Sequence, residues 1–319
     1  MGANVYITKL IPTVGIEHLK KHCETIEVNP DDRVLTPEEL IEKVRGRDAV
    51  LCLLTDAIND KVYEAAGPQC KIFANMAVGY NNIDLEAAKK RNMITTNTPG
   101  VLDDATADMA WALLFSAARR VVESDAHMRS GKWPGWGPLQ FIGQDITNRT
   151  LGIIGAGRIG TNFALKSIGF NMKVLYTDVV RNEELETKLG AQKVSMDELL
   201  KSSDFVSLHT PLLPETTHLI GEKELGLMKN SAVLINSSRG PIIDEKALVN
   251  ALQERVIAAA GLDVYELEPK AAEGLLELEN VVACPHIASA TEETRNNMAL
   301  IAAKNITEVL AGRPPLNPI

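Results

Sequence analysis

The stretch Leu151-Gly-Ile-Ile-Gly155-Ala-Gly157-Arg158-Ile159-Gly160 constrains this chain more than any other. It continues a β-type apolar run and opens a helical pattern. A second β-type run, Met172–Thr177, then ends at Asp178. GxGxxG between a strand and a helix, with an acidic residue after the next strand, is the dinucleotide-binding context. Gly155 makes the tight turn, Gly157 lets the backbone approach a pyrophosphate, and Gly160 lets helix and strand pack closely. The helix N-terminus, from Arg158 and Ile159 onward, offers N–H groups and a favourable dipole to that anion. Asp178 suits a ribose 2′-hydroxyl and opposes a 2′-phosphate, which points to NAD; Arg181 nearby keeps NADP open.

Strand and helix patterns alternate on both sides of the fingerprint. Before it, Val5–Thr8, Thr25–Val28, Ala49–Leu54, Lys71–Asn75 and Met93–Asn97 read as strands. After it, Leu151–Ile154, Lys173–Thr177, Phe205–Leu208, Ala232–Ile235, Ala258–Leu262 and Val281–Cys284 do. Such alternation predicts an α/β protein with parallel sheets. Helix starts are legible at the capping box Thr36-Pro37-Glu38-Glu39 and at Ser195–Glu198. A long helix is expected from about Asp104 to Met128. Its stretch Met109–Ala118 is apolar almost all round, which predicts burial on every side, between domains or subunits. A rigid aromatic loop, Gly131 to Gly137, follows. The last helix is expected over about Thr291 to Leu310, with Ser289 to Glu292 as its capping box. The 319 residues suffice for two domains, and those preceding the fingerprint suffice for one.

Charge narrows the function. With 33 Lys and Arg against 42 Asp and Glu, the net charge is −9. Lys89-Lys90-Arg91 and Arg119-Arg120 are the densest basic spots and read as solvated helix faces, so a nucleic-acid partner is not expected. No apolar run reaches the ~18 residues of a membrane span, and no secretory pattern is visible. Cys23, Cys52, Cys70 and Cys284 are scattered without metal spacing, as reduced thiols of a cytoplasmic protein would be. His18 and His22 stand among Glu17, Lys20, Lys21 and Glu24, which reads as a solvated helix face rather than a metal site.

Three expected strands each end in a residue with useful chemistry. Arg239 follows Ala232–Asn236, Glu266 and Glu268 follow Ala260–Asp263, and His286 follows Val281–Pro285. Ligands of open α/β sheets bind at the carboxyl ends of strands, so all three can face one crevice. Reduction of a 2-oxo acid needs a cation for the carboxylate and a proton for the oxygen. Arginine's planar fork suits the first and histidine the second. A neighbouring carboxylate favours the imidazolium and keeps the acid loaded. His209, before Thr210-Pro211 at another strand end, suits a wall of the cofactor pocket.

These residues resemble the D-isomer-specific 2-hydroxyacid dehydrogenase family over essentially the whole chain. The matching stretches are Val78 to Asp84, Asn97 to Gly100 with Ala105 to Asp108, the glycine fingerprint, Asn236 to Gly240, Asp263 to Pro269, and Pro285 to Thr291. The resemblance implies a catalytic set of Arg239, Glu268 and His286, with Glu268 rather than Glu266 as the family's carboxylate. It implies backbone contacts from Val78 and Gly79 to the substrate carboxylate. It assigns Thr106, Pro211, Thr216, Ser238 and Asp263 to the cofactor, with Thr210, Ser237, His286 and Ala288 in the same stretches. Ala288 stands where glycine is common, and Asn81 where aspartate is common. The topology implied is a Rossmann-type cofactor domain, residues 100–286, carrying a dimer arm. A smaller flavodoxin-like α/β substrate domain is built from residues 1–99 and 287–319. A hinged cleft closing over substrate is implied as well.

Within that family, Trp133 to Leu139 and Leu51-Cys-Leu-Leu54 look most like the glyoxylate/hydroxypyruvate reductase branch. There, a tryptophan of the neighbouring subunit walls a small pocket; Trp136 matches it, with Trp133 next. The expected activity is NADH-dependent reduction of small 2-oxo acids by a cytoplasmic homodimer, with no metal. Two other readings stand beside it: a dehydrogenase of D-lactate or 3-phosphoglycerate, and an NAD-sensing corepressor-like protein on the same fold.

Overall fold

The computed structural model describes residues 2–319. They form two compact units: the chain up to Leu102 together with Ala290–Ile319, and Asp103–Ser289. The boundaries fall a few residues later than the 99/100 and 286/287 junctions expected from sequence.

The first unit holds β1 (Asn4–Ile7), α1 (Thr13–Lys20), β2 (Thr25–Val28), α2 (Pro37–Lys43), β3 (Ala49–Cys52), α3 (Asp60–Ala66), β4 (Ile72–Asn75), α4 (Leu85–Lys90) and β5 (Ile94–Thr96). Its sheet runs β2-β1-β3-β4-β5, all parallel. This is the flavodoxin-like order. β3 and β4 are buried at every residue, as parallel strands covered on both faces must be. The C-terminal helix, Glu292–Leu310, packs on α1, β3 and β4. Beyond it, Ile319 N donates to Thr95 O at 3.1 Å, so the chain end lines the edge strand. Buried Asn305 makes that return possible. Its Oδ1 accepts from Leu316 N and Asn317 N, and its Nδ2 donates to Ile301 O and the Asn317 side chain. The cap of this helix is Thr291, whose hydroxyl accepts from Thr294 N at 3.2 Å, rather than Ser289. His18 is half-buried and reaches the Thr307 hydroxyl at 3.1 Å; it is a packing residue rather than a solvated one.

The second unit holds α5 (Asp103–Ala118), α6 (Val121–Arg129), β6 (Thr150–Ile154), α7 (Arg158–Leu165), β7 (Lys173–Thr177), α8 (Glu183–Leu189), β8 (Gln192–Lys193), α9 (Met196–Ser202), β9 (Phe205–Leu208), α10 (Glu222–Leu227), β10 (Val233–Asn236), α11 (Glu245–Gln253), β11 (Ala259–Leu262) and β12 (Val281–Ala283). The parallel order β12-β11-β10-β9-β6-β7-β8 reverses direction at β6/β9, the Rossmann arrangement with one further strand. Alternate residues feed two cores. Val233 and Ile235 join one with α5 and α7, and Leu234 joins the other with α9 and α11.

The single helix expected over about Asp104 to Met128 is two helices. Arg120 sits between them at φ 54°, ψ 38°, a left-handed residue that ends a right-handed helix. Its guanidinium forks onto Glu123 at 2.6 and 2.8 Å, and Gln144 N donates to the Ala118 carbonyl at 2.9 Å. Within Met109–Ala118 every residue but Ala112 is buried or half-buried, while Asp104 and Asp108 in the first turns of α5 are exposed; the helix packs on β10, β11 and α7 within its own unit. Trp111 anchors it, its indole N–H donating to Phe163 O at 2.9 Å and its rings stacking on Phe115, Phe163 and Phe170.

Trp111→Ala is expected to cost roughly 3–5 kcal/mol in urea unfolding, the range for removing a buried large aromatic. Trp111→Phe should cost about 1–2 kcal/mol, chiefly the lost hydrogen bond. Equal losses in the two variants would contradict this packing.

Candidate functional site

The glycine turn has the form a dinucleotide requires. Gly155 lies at φ +91°, and a Cβ there would stand 2.7 Å from the His209 carbonyl carbon. A Cβ at Gly160 would lie 2.0 Å from Gly155 O, so the turn and α7 touch backbone to backbone. Gly157 instead faces open space, the cradle a pyrophosphate would use. Beside this turn His209 Nδ1 and Thr210 Oγ1 are enclosed and lack a partner in the chain, as does Ser237 Oγ after β10. Buried polar atoms are rarely left so, and a bound dinucleotide offers polar groups that would satisfy them. The His209 ring is held by Ser207 at 2.9 Å and packs on Phe163. Burial pulls its pKa down to about 3, so it is a neutral wall.

The remaining expected cofactor residues fall into two kinds. Asp178 follows β7, with Oδ2 accepting from Ala156 N at 2.7 Å and Oδ1 from Val180 N at 3.1 Å. Arg158 opens α7 and pairs with Asp103 at 3.5 Å, with Ile159 behind it in the same turn. Thr106 is buried in α5. Others are spent on shaping loops. The Thr216 hydroxyl donates to Pro211 O at 2.7 Å and accepts from Leu213 N at 2.8 Å. The Ser238 hydroxyl donates to Asn236 Oδ1 at 2.9 Å. Asp263, fully buried, accepts from Ile287 N at 2.8 Å and from Ala288 N at 2.7 Å.

The Asp263 contacts explain His286. That residue sits at φ 56°, a left-handed conformation few non-glycine residues adopt. The loop after it is fixed by Asp263, and the one before it by Cys284 N to Leu262 O and by the Tyr265 hydroxyl to Cys284 O. So held, His286 Nδ1 meets the Glu268 carboxylate at 2.9 and 3.2 Å. Burial pushes the Glu268 carboxyl up. The His286 hydrogen bond and charge, the Tyr265 N–H and Arg239 together outweigh that, and it titrates below its ordinary value. Nδ1 is therefore occupied, and Nε2 is the nitrogen left for chemistry.

Arg239 reaches the same place from β10. Asn236 braces its loop, donating to Arg239 O at 2.9 Å and accepting from Ser238 N. Gly240 then lies so close to the next loop that a Cβ would overlap Tyr265 C and O at 1.9 Å. Only glycine lets the Arg239 loop press on the Glu268 loop. Burial lowers the Arg239 pKa and Glu268 opposes that shift, yet a guanidinium keeps its charge. Glu266 is engaged elsewhere: Oε1 lies 2.8 Å from His218 Nε2, and Oε2 accepts from Glu245 N. The sequence carried no usable sign of that histidine–carboxylate pair.

In the first unit, Leu54, Val78 and Gly79 all lie at the carboxyl ends of β3 and β4. Asn97 donates to Val78 O at 2.8 Å and Asn75 to Gly79 O at 3.1 Å. Asn82 donates to Leu53 O and Asp56 O, tying the two loops. Asp56 organises the Leu54 turn from below, accepting from Leu53 N at 2.8 Å and from the Thr8 hydroxyl at 2.5 Å. Trp136 is 83% exposed and Trp133 is also open to solvent, so neither walls a pocket of its own chain.

Comparison with known proteins gives the family. The family model described as D-isomer specific 2-hydroxyacid dehydrogenase, NAD binding domain, matches residues 111–288. A glyoxylate reductase of Thermococcus litoralis is 50% identical, over 99% of this chain and 96% of that enzyme. The crystal structure of a glyoxylate reductase from Paecilomyes thermophila is 32% identical with a TM-score of 0.88, covering 100% of this chain and 99% of that one. An NADPH-dependent glyoxylate/hydroxypyruvate reductase from Sinorhizobium meliloti, solved with NADP and malonate, is 30% identical with a TM-score of 0.87, covering 100% and 97%. The chain belongs to the D-isomer-specific 2-hydroxyacid dehydrogenase family and is an NAD(P)-dependent oxidoreductase.

Proposed function

We propose that this enzyme reduces glyoxylate and hydroxypyruvate to their 2-hydroxy acids with NADH. The carrying observation is the His286–Glu268 contact beside Arg239, in the same unit as a glycine turn built for a dinucleotide. The relatives' names support the substrates. Residues up to Leu102 with the C-terminal helix serve as the substrate domain, and Asp103–Ser289 as the cofactor domain.

A bound nicotinamide dinucleotide supplies the hydride for C2 of the oxo acid. Arg239 binds the substrate carboxylate with its planar fork. The substrate contacts assigned to the first unit are the backbone at Val78 and Gly79 and the side chain of Leu54. His286 Nε2 donates the proton to the carbonyl oxygen, while Glu268 on Nδ1 stabilises the imidazolium that must stand ready. NADH is favoured because Asp178 follows β7 and Arg181 is already ion-paired. One relative's use of NADP makes this a point for measurement.

The active form is a homodimer in which Trp136 walls the neighbouring pocket. Support comes from the exposed apolar run on α6 and the segment after it: Val121, Val122, Met128, Trp133, Trp136, Leu139 and Ile142. Such exposure on one segment marks an interaction surface. The free thiols of Cys23, Cys52, Cys70 and Cys284 suit a reducing, cytoplasmic compartment. Among the described residues no helix is long and apolar enough to cross a membrane.

His286→Ala should lower kcat by on the order of 10²–10⁴-fold, the usual worth of a positioned general acid. Near-normal turnover would remove it from that role. Arg239→Lys should act mainly by raising KM for the oxo acid, and an unchanged KM would argue against the carboxylate contact. Across glyoxylate, hydroxypyruvate, pyruvate and 3-phosphohydroxypyruvate, kcat/KM should be highest for the first two, and higher with NADH than NADPH. Preference for the phosphorylated acid would favour the 3-phosphoglycerate reading, and absence of turnover the sensing one.

A further inference from the structure

Arg181 is the residue that kept NADP open, and the structure shows what holds it. Its Nε and Nη2 lie 2.8 and 2.5 Å from one oxygen of Glu186. The other oxygen of Glu186 accepts from the Tyr176 hydroxyl at 2.7 Å. Tyr176 is fully buried in β7, and its phenol oxygen accepts from Asn182 N at 2.9 Å. Asn182 in turn caps α8 through Leu185 N and donates to Ala156 O and the Thr161 hydroxyl, both at 2.8 Å. Glu186 is thus pinned through a chain of hydrogen bonds that ends on the glycine turn itself. Its Tyr176 contact holds it away from following Arg181 toward a ligand.

We propose that Glu186 is a specificity-determining residue: it sequesters Arg181 and thereby denies the enzyme its cation for a 2′-phosphate. Discrimination then has two parts. Asp178 opposes the phosphate, and Glu186 keeps the neighbouring guanidinium engaged. The inference deepens the NADH reading and rests on it. The Arg181 contact, followed by the Tyr176 hydroxyl, holds the Glu186 carboxyl below its ordinary pKa, as a charge-assisted pair requires. The other cation beside this loop is Lys193, whose ammonium donates to Val179 O at 3.3 Å. It gives the test a built-in competitor. Glu186 acts through Arg181 and is a positioning residue.

The test is a double-mutant cycle of wild type, Arg181→Ala, Glu186→Gln and the double variant. Two readouts apply: calorimetric affinity for adenosine 2′,5′-bisphosphate relative to AMP, and the NADPH/NADH ratio of kcat/KM. Glutamine keeps the side-chain shape and an acceptor for Tyr176 while removing the charge that holds Arg181. Glu186→Gln should improve both ratios by about fivefold or more, the scale expected when a charge-assisted contact is transferred to the phosphate. Arg181→Ala should cancel that gain in the double variant yet change the ratios less than about twofold in the wild-type background, where Arg181 is engaged. Three results would overturn the proposal: no gain in a folded Glu186→Gln, a gain that survives loss of Arg181, or an equal loss from Arg181→Ala in both backgrounds. A gain surviving without Arg181 would mean that simple charge removal or Lys193 does the work. The wild-type ratio alone tests the NADH reading, so either idea can fail without the other.

Discussion

The buried carboxylate of Asp263 is the constraint on which the chemistry depends. It stands at the end of β11 and takes the amides of Ile287 and Ala288, one on each oxygen. Those bonds fix the two residues that follow His286, which itself lies in a left-handed conformation. An uncompensated buried acceptor of this kind costs about 1–3 kcal/mol or more, so the loop has a strong reason to stay. Asp263 remains bound to the chain while Glu268, a few residues along the same loop, reaches back to His286 Nδ1. His286 and Glu268, the proposed acid and its partner, are therefore positioned by one loop. Gly240 adds the third element, because its missing side chain lets the Arg239 loop rest on that loop's backbone.

Both sheets use the same device. Parallel strands end on one side, and the polar loops that leave them collect there. In the second unit these loops carry the glycine turn, Asp178, His209, Arg239, Glu268 and His286. In the first they carry Leu54, Val78 and Gly79, each braced by asparagine or aspartate side chains that bind loop backbone. Buried strands supply stiffness, and short hydrogen-bonded loops supply placement.

Much of this was readable from residue order. Runs rich in β-branched, aromatic and aliphatic residues, flanked by turn residues, marked the strands, several to the residue, such as Lys173–Thr177 and Phe205–Leu208. Local caps were readable too: Thr36 and Ser195 each accept the amide expected of them. What escaped depends on partners remote in sequence. The break at Arg120 is stabilised by Gln144, and arginine carries no signal for a left-handed turn. Ser289 and Thr291 are equally good caps by type, and the path of the preceding loop decides between them. The His218–Glu266 pair joins loops nearly fifty residues apart, and β8 is only Gln192–Lys193. Glu266 and Glu268 could not be separated by chemistry alone, since both are carboxylates on one loop; geometry puts only Glu268 on His286.

The central claim of the proposed function is that Glu268 holds His286 Nδ1 and so leaves Nε2 to donate the proton for reduction. The His286 hydrogen bond and charge help to hold the Glu268 carboxyl below its ordinary value against the pull of burial. The direct measurement is kcat and KM for glyoxylate reduction in the enzyme and in Glu268→Gln. The account predicts a lower kcat with KM little changed in the variant. An unchanged kcat would contradict it.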